Sequence, residues 1–184
     1  MKRKFLMVLG VVLAVAVAVA VAGEGQEQHH GAAQPQDPRF DFLKRLAGTW
    51  VGEAAEPGKP ANTVEFHVTA GGHAVEEREF VGTPMEMVTL YHVEGQELVA
   101  THYCMIGNRP RLTAARKVVD DTLAFSCAGK PGGAASHDDE HVHSWSLRLE
   151  DDGRLLYSAE LVKAGKVTEA PALVLTRQEE TARR

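Results

Sequence analysis

The sequence has no basic run long enough to hold a polyanion, no phosphate-binding glycine loop, no Gly-x-Ser-x-Gly elbow and no His-Glu-x-x-His helix. Their absence removes the commonest signatures of nucleotide, serine-hydrolase and zinc-protease chemistry. With 20 Lys and Arg against 25 Asp and Glu and a net charge of −5, the chain has no electrostatic reason to bind nucleic acid. No βαβ alternation is present, which argues against a parallel nucleotide-binding sheet. There is no internal repeat and no basic amphipathic helix suited to a membrane surface. Only two cysteines occur, Cys104 and Cys127. An oxidising compartment would let them pair if their Cα atoms lie within about 7 Å, and two thiols fit the sequence equally well.

What the sequence does have begins at its first residues. Lys2, Arg3 and Lys4 precede an apolar run from Phe5 to Ala22, broken only by Gly10 and closing on Ala20-Val21-Ala22. Charge, apolar core and small residues in that order predict a cleavable signal peptide over 1–22, hence an exported protein, periplasmic or secreted. The competing reading is an uncleaved anchor, since such a run just spans a bilayer of about 30 Å; contact with a membrane would then be through this segment alone. No cysteine stands at the cleavage point to take a lipid. Loss of three basic residues takes the mature chain from −5 to −8. Residues 23–36, rich in Gln, Gly, Ala, Pro and His, read as a disordered linker, with His29-His30 a polar pair in the tether.

From residue 37 the pattern is that of a folded domain, expected over 37–178 with a short tail at 179–184. Asp37-Pro38 has the form of a helix start. Phe40, Leu43 and Ala47, with Phe42 and Leu46 beside them, give one short amphipathic helix that Gly48 ends. Alternation then takes over, with turn residues every 8 to 12 positions or so. Strands are expected near 49–55, 62–70, 73–81, 86–93, 97–105, 111–118, 121–127, 141–150, 154–162 and 167–177. Gly71-Gly72, Glu94-Gly95, Gly107-Asn108, Asp120-Asp121, Asp151-Asp152-Gly153 and Gly165 supply the hairpin turns. The exception is the long acidic and glycine-rich connection 129–140. Ten antiparallel strands leave unpaired edges unless they close, so the expected fold is all-β: a ten-stranded up-and-down barrel with a short N-terminal helix. Alternate side chains would then face an interior able to hold a small ligand.

Gly48-Thr49-Trp50, after a short helix and opening the first strand, resembles the Gly-x-Trp signature of the calycin superfamily, which includes lipocalins and fatty-acid-binding proteins. The resemblance implies that Trp50 closes one barrel end and that a basic residue of the last strand, Arg177, packs across it by cation–π contact. Thr101-His102-Tyr103-Cys104, Gly107-Asn108-Arg109-Pro110-Arg111 and His141-Val142-His143 are similar to an uncharacterised bacterial family of calycin-like proteins, over about Phe42 to Arg177. That family brings no established reaction with it. The strand count also invites comparison with fatty-acid-binding proteins and nitrobindin-like haem barrels.

Several residues are candidates for a cavity. His141 and His143, two apart on one strand, should point to one face together with Trp145, Leu147 and Leu149. His102 and Cys104 are related in the same way, and imidazole and thiolate suit zinc or copper. His102, His141 and His143 are therefore the candidate metal or haem ligands, though no cofactor is required; hydrogen bonding among them inside a polar cavity accounts for the pattern equally. The inward side of 98–105 is ambiguous, since Leu98, Ala100, His102 and Cys104 alternate with Val99, Tyr103 and Met105. Arg116, on the face of Leu112 and Ala114, is the candidate for holding a carboxylate head group, ahead of Arg111. Asn108 and Arg109 fit a turn. His137 to Glu140 lacks the spacing of a calcium loop and reads as a solvated rim. Glu77 and Glu79 share a strand face as paired carboxylates for glycoside hydrolysis would, though such a pair is expected to be solvated. The resulting expectation is an exported barrel binding a small hydrophobic or amphipathic molecule through His102, Cys104, Arg116, His141, His143 and Trp145. The alternatives are a haem- or metal-binding barrel and a small enzyme.

Overall fold

A computed structural model describes residues 36–54, 61–127 and 139–179. The expected signal segment, the linker, most of the 129–140 connection and the end of the tail lie outside the described residues. Contacts divide the chain into Met1–Gly31 and Ala32–Arg184, and every described residue belongs to the second unit.

The chain enters the fold through helix α1, Pro38–Arg45. The Asp37 carboxylate caps it, accepting from the Arg39 N–H at 2.9 Å, and Pro38 occupies a first-turn position where no N–H is needed. Eleven strands follow: β1 Gly48–Ala54, β2 Ala61–Thr69, β3 Ala74–Glu79, β4 Met87–Glu94, β5 Glu97–Tyr103, β6 Arg111–Ala114, β7 Thr122–Cys127, β8 His141–Leu149, β9 Leu155–Lys163, β10 Lys166–Glu169 and β11 Leu173–Arg177. Consecutive strands β1 to β9 pair antiparallel, and β11 bridges β9 and β1, which closes a ten-stranded antiparallel barrel. The expected closed barrel is therefore present. The last expected strand, 167–177, is two pieces: β10 pairs with the far half of β9 and β11 with its near half. Between them Pro171, which has no N–H to give a ladder, interrupts the pairing.

Alternation builds the core. Trp50, Val64, Phe66, Val75, Tyr91, Leu112, Leu123, Phe125, Leu147 and Leu155 are all buried, and helix residues Phe40, Phe42, Leu43 and Leu46 join the same cluster. Most of this packing lies toward the helix end. There the Trp50 indole N–H donates to the Leu46 carbonyl at 2.8 Å. The Arg177 guanidinium lies 4.2 Å from the Trp50 ring centre and donates to the carbonyls of Ala47 and Arg45. Gly48 has φ +125°, and a Cβ there would come within 3.0 Å of the guanidinium, so the position requires glycine. Arg39 ties the helix to the turns at this end, donating to the carbonyls of Gln96 and Ala115. The opposite end carries the β3–β4 and β5–β6 turns and the starts of β2 and β8.

Candidate functional site

β3 reads Ala-Val-Glu-Glu-Arg-Glu, and its burial alternates so that Val75, Glu77 and Glu79 face inward. Outward-facing Arg78 pairs with Glu86 and Glu65 at 2.5 and 3.6 Å. The two inward carboxyls, expected to be solvated, are buried instead: Glu77 is 0% and Glu79 8% exposed. The reason lies in the neighbouring strands. Register sets Glu77 beside Thr89 and Thr89 beside His102, forming one interior tier, while Glu79 stands beside Met87 one tier nearer the open end. This pairing also settles the inward face of β5, which is that of Ala100 and His102.

Phenols and an imidazole reach the two carboxyls. The Tyr91 hydroxyl donates to Glu77 Oε2 in a short hydrogen bond. From the opposite wall, Tyr157 donates to Glu79 Oε1 at 3.4 Å. His102 Nδ1 lies 2.9 Å from Thr89 Oγ1 and 3.7 Å from Glu79 Oε1. Trp145 stacks on Phe125 with ring centres 5.3 Å apart and stands edge-on to Tyr91 at 6.3 Å.

Burial governs the protonation of this cluster. It raises the Glu77 carboxyl well above the carboxylate range, and the neighbouring Glu79 charge adds to the effect. It raises Glu79 to about 7, opposed by the Tyr157 hydrogen bond, and lowers His102 to about 4. Near neutral pH Glu79 is therefore on the point of ionising and His102 is neutral, while burial favours the protonated form of Glu77. A neutral imidazole with its proton assigned to Nδ1, toward Thr89 and Glu79, leaves Nε2 as an acceptor. That atom is buried and has no hydrogen-bond partner among the described residues.

Beside these groups lies a cavity of about 370 Å³. Phe80, Met85, Met87, Val142, Leu161 and Leu173 form its apolar wall, and Glu79, His102, Trp145 and Tyr157 supply its aromatic and polar floor. A wider concavity of about 1030 Å³ borders Ser126, Ser144, Ser146 and Ser158. Of its carboxylates, Glu160 already accepts from Ser144 at 2.6 Å and Glu169 is exposed, and no buried charged group lines it among the described residues.

Of the residues expected from sequence, His102 and Trp145 line the cavity. Three other placements differ. First, β8 carries a bulge between Val142 and Ser144. Val142 and Trp145, three residues apart, consequently both line the cavity, which regular alternation forbids. His141 pairs with Val162, on the face opposite cavity-lining Leu161. It is therefore buried in the wall and not in the cavity, with its Nδ1 2.7 Å from the Asp139 carbonyl. The His143 ring lies 5.8 Å from it, edge-on. Second, Arg116 is exposed beyond the end of β6, beside Asp37 and Lys117 at the helix end, because that strand stops at Ala114. Third, Cys104 lies just past β5, its thiol 3.8 Å from Met87 Sδ. Both cysteines are thiols, each raised by burial. Among the described residues no group of three or more His, Cys, Asp or Glu side chains could hold a metal ion; His137 and Asp138 lie outside them. In the β5–β6 turn the positive φ falls on Gly107, while Asn108 donates to the Glu140 carbonyl at 2.6 Å and tethers the start of β8.

No known family's model matches the chain. No curated protein is similar to it either.

Sequence reasoning set Glu77 and Glu79 aside as a solvated pair and did not reach Tyr157. The available signal was Val75 on the same face as the two acids, which marks that face as inward.

Proposed function

We propose that this protein binds a small amphipathic molecule in the cavity at the open end of its barrel, a role that requires no catalysis. One observation carries the reading: an apolar cavity of about 370 Å³ converges on a few buried polar groups whose protonation is perturbed, the combination expected of a ligand site. The apolar body of the guest would lie against Met87, Leu161 and Leu173, and its polar end would meet Glu79, His102 and Tyr157. Arg116, exposed at the other end, has no part in this reading. Export belongs to the same proposal and rests on the order of charge, apolar core and small residues over 1–22. Kinship with the calycins is likewise proposed; the cation–π lid of Arg177 over Trp50 supports it.

Native mass spectrometry of the purified protein, with metal analysis, tests the function. A retained organic mass without metal is the expected result. Stoichiometric metal or a Soret band would replace the reading with a metal or haem barrel. An empty protein whose Trp145 emission responds to no amphipathic probe would end it.

A further inference from the structure

The cavity's charge inventory is one-sided. Among the described residues its ionisable lining consists of Glu79, His102 and Tyr157, with Glu77 and Tyr91 in contact behind them, and neither lysine nor arginine is among those lining residues. A carboxylate or phosphate head entering here would face carboxyl oxygens with no counter-charge, at high cost in a site removed from water. A hydroxyl would gain hydrogen bonds yet leave the Glu79 charge unbalanced. An ammonium brings three donors and the missing charge. The acceptors it needs are the Glu79 carboxylate and, in the tautomer that carries its proton on Nδ1, the buried His102 Nε2, which has no partner among the described residues. The aromatic residues Trp145 and Tyr157 belong to the same lining, and aromatic rings attract a cation where it meets their faces.

We infer that the preferred guest is an apolar amine, its ammonium seated between the Glu79 carboxylate and His102 Nε2 and its hydrocarbon against the methionine and leucine wall. This rests on the proposed function and narrows it to one head-group chemistry. The cavity lies near the small end of the usual range of about 300–1,000 Å³ for ligand sites, which suits a short chain.

The test compares octylamine, octanol and octanoate at pH 8, where Glu79 is ionised and a primary amine, with a pKa near 10.4 by analogy with lysine, is protonated. Tryptophan emission of the purified protein reports binding, since Trp145 lines the cavity and Trp50 is sealed at the other end. Octylamine should bind at least tenfold more tightly than octanol, and octanoate most weakly. Glu79→Gln should abolish the amine preference while octanol still binds. Octanoate binding as tightly as octylamine, or an amine preference that survives Glu79→Gln, overturns the inference and leaves the general reading standing if octanol binds. Failure of all three probes to bind overturns both.

Discussion

The two ends of this barrel treat buried polarity in opposite ways. At the helix end the polar groups are partnered: the buried Trp50 indole has the Leu46 carbonyl, and the exposed Arg177 guanidinium that covers it has two carbonyls and an aromatic face. At the open end, two carboxyls are held out of water with phenols, a threonine and a neutral imidazole, and with no cation among the described residues. The first arrangement stabilises the fold. The second weakens it at neutral pH, and such a cost is expected where a site is kept ready for a ligand.

The comparison breaks most visibly at Trp50. Trp50→Ala should cost about 3–5 kcal/mol of unfolding free energy, since it empties a fully buried site. The loss should appear as a shift in the denaturation midpoint, with the affinity of the remaining folded protein for its ligand unchanged.

The next effect has the opposite sign. Glu79 has a folded pKa of about 7 against a model value of 4.5, so the folded state holds a proton that the unfolded chain has released across that interval. Its contribution is most favourable below pH 4.5 and is lost as pH rises toward 7. The groups facing it are Glu77 on its own strand, Tyr91 and Thr89 on β4, His102 on β5 and Tyr157 on β9. His102, lowered to about 4, works against this trend between pH 4 and 6.5, so the wild-type profile blends the two. Glu79→Gln separates them. The variant should gain on the order of 2 kcal/mol over wild type at pH 8 and little or nothing at pH 4, as urea denaturation at the two pH values would reveal.

Arg177→Ala should cost about 1–2 kcal/mol, through loss of the cation–π contact and of hydrogen bonds that cap the Ala47 and Arg45 carbonyls; thermal unfolding measures it. Arg116→Ala sits at the small end of the scale. As an exposed loop residue it should change stability by less than about 0.5 kcal/mol, and ligand affinity not at all.

The sealed end was far more legible in the sequence than the open one. Gly48, Trp50 and Arg177 were legible through the resemblance to the Gly-x-Trp signature, which implied their contact, and the ten strands follow from a period of two with turn residues between them. The open end resisted for three local reasons. A single-residue bulge before Ser144 reverses the faces of β8, so His141 leaves the cavity and Val142 enters it; no propensity announces such an insertion. β6 stops at Ala114, so alternation carried on to Arg116 names the wrong face. The acids of β3 look solvated by composition, because the tyrosines that accompany them lie 14 and 78 residues away and become neighbours only when the sheet closes.

The central claim, that the open end holds Glu79 in a dry hollow facing a guest, is tested most directly by nuclear magnetic resonance titration of its carboxyl carbon. A midpoint near pH 7 that moves down when octylamine is added is the predicted result. A midpoint in the ordinary carboxylate range, unmoved by the amine, would contradict it.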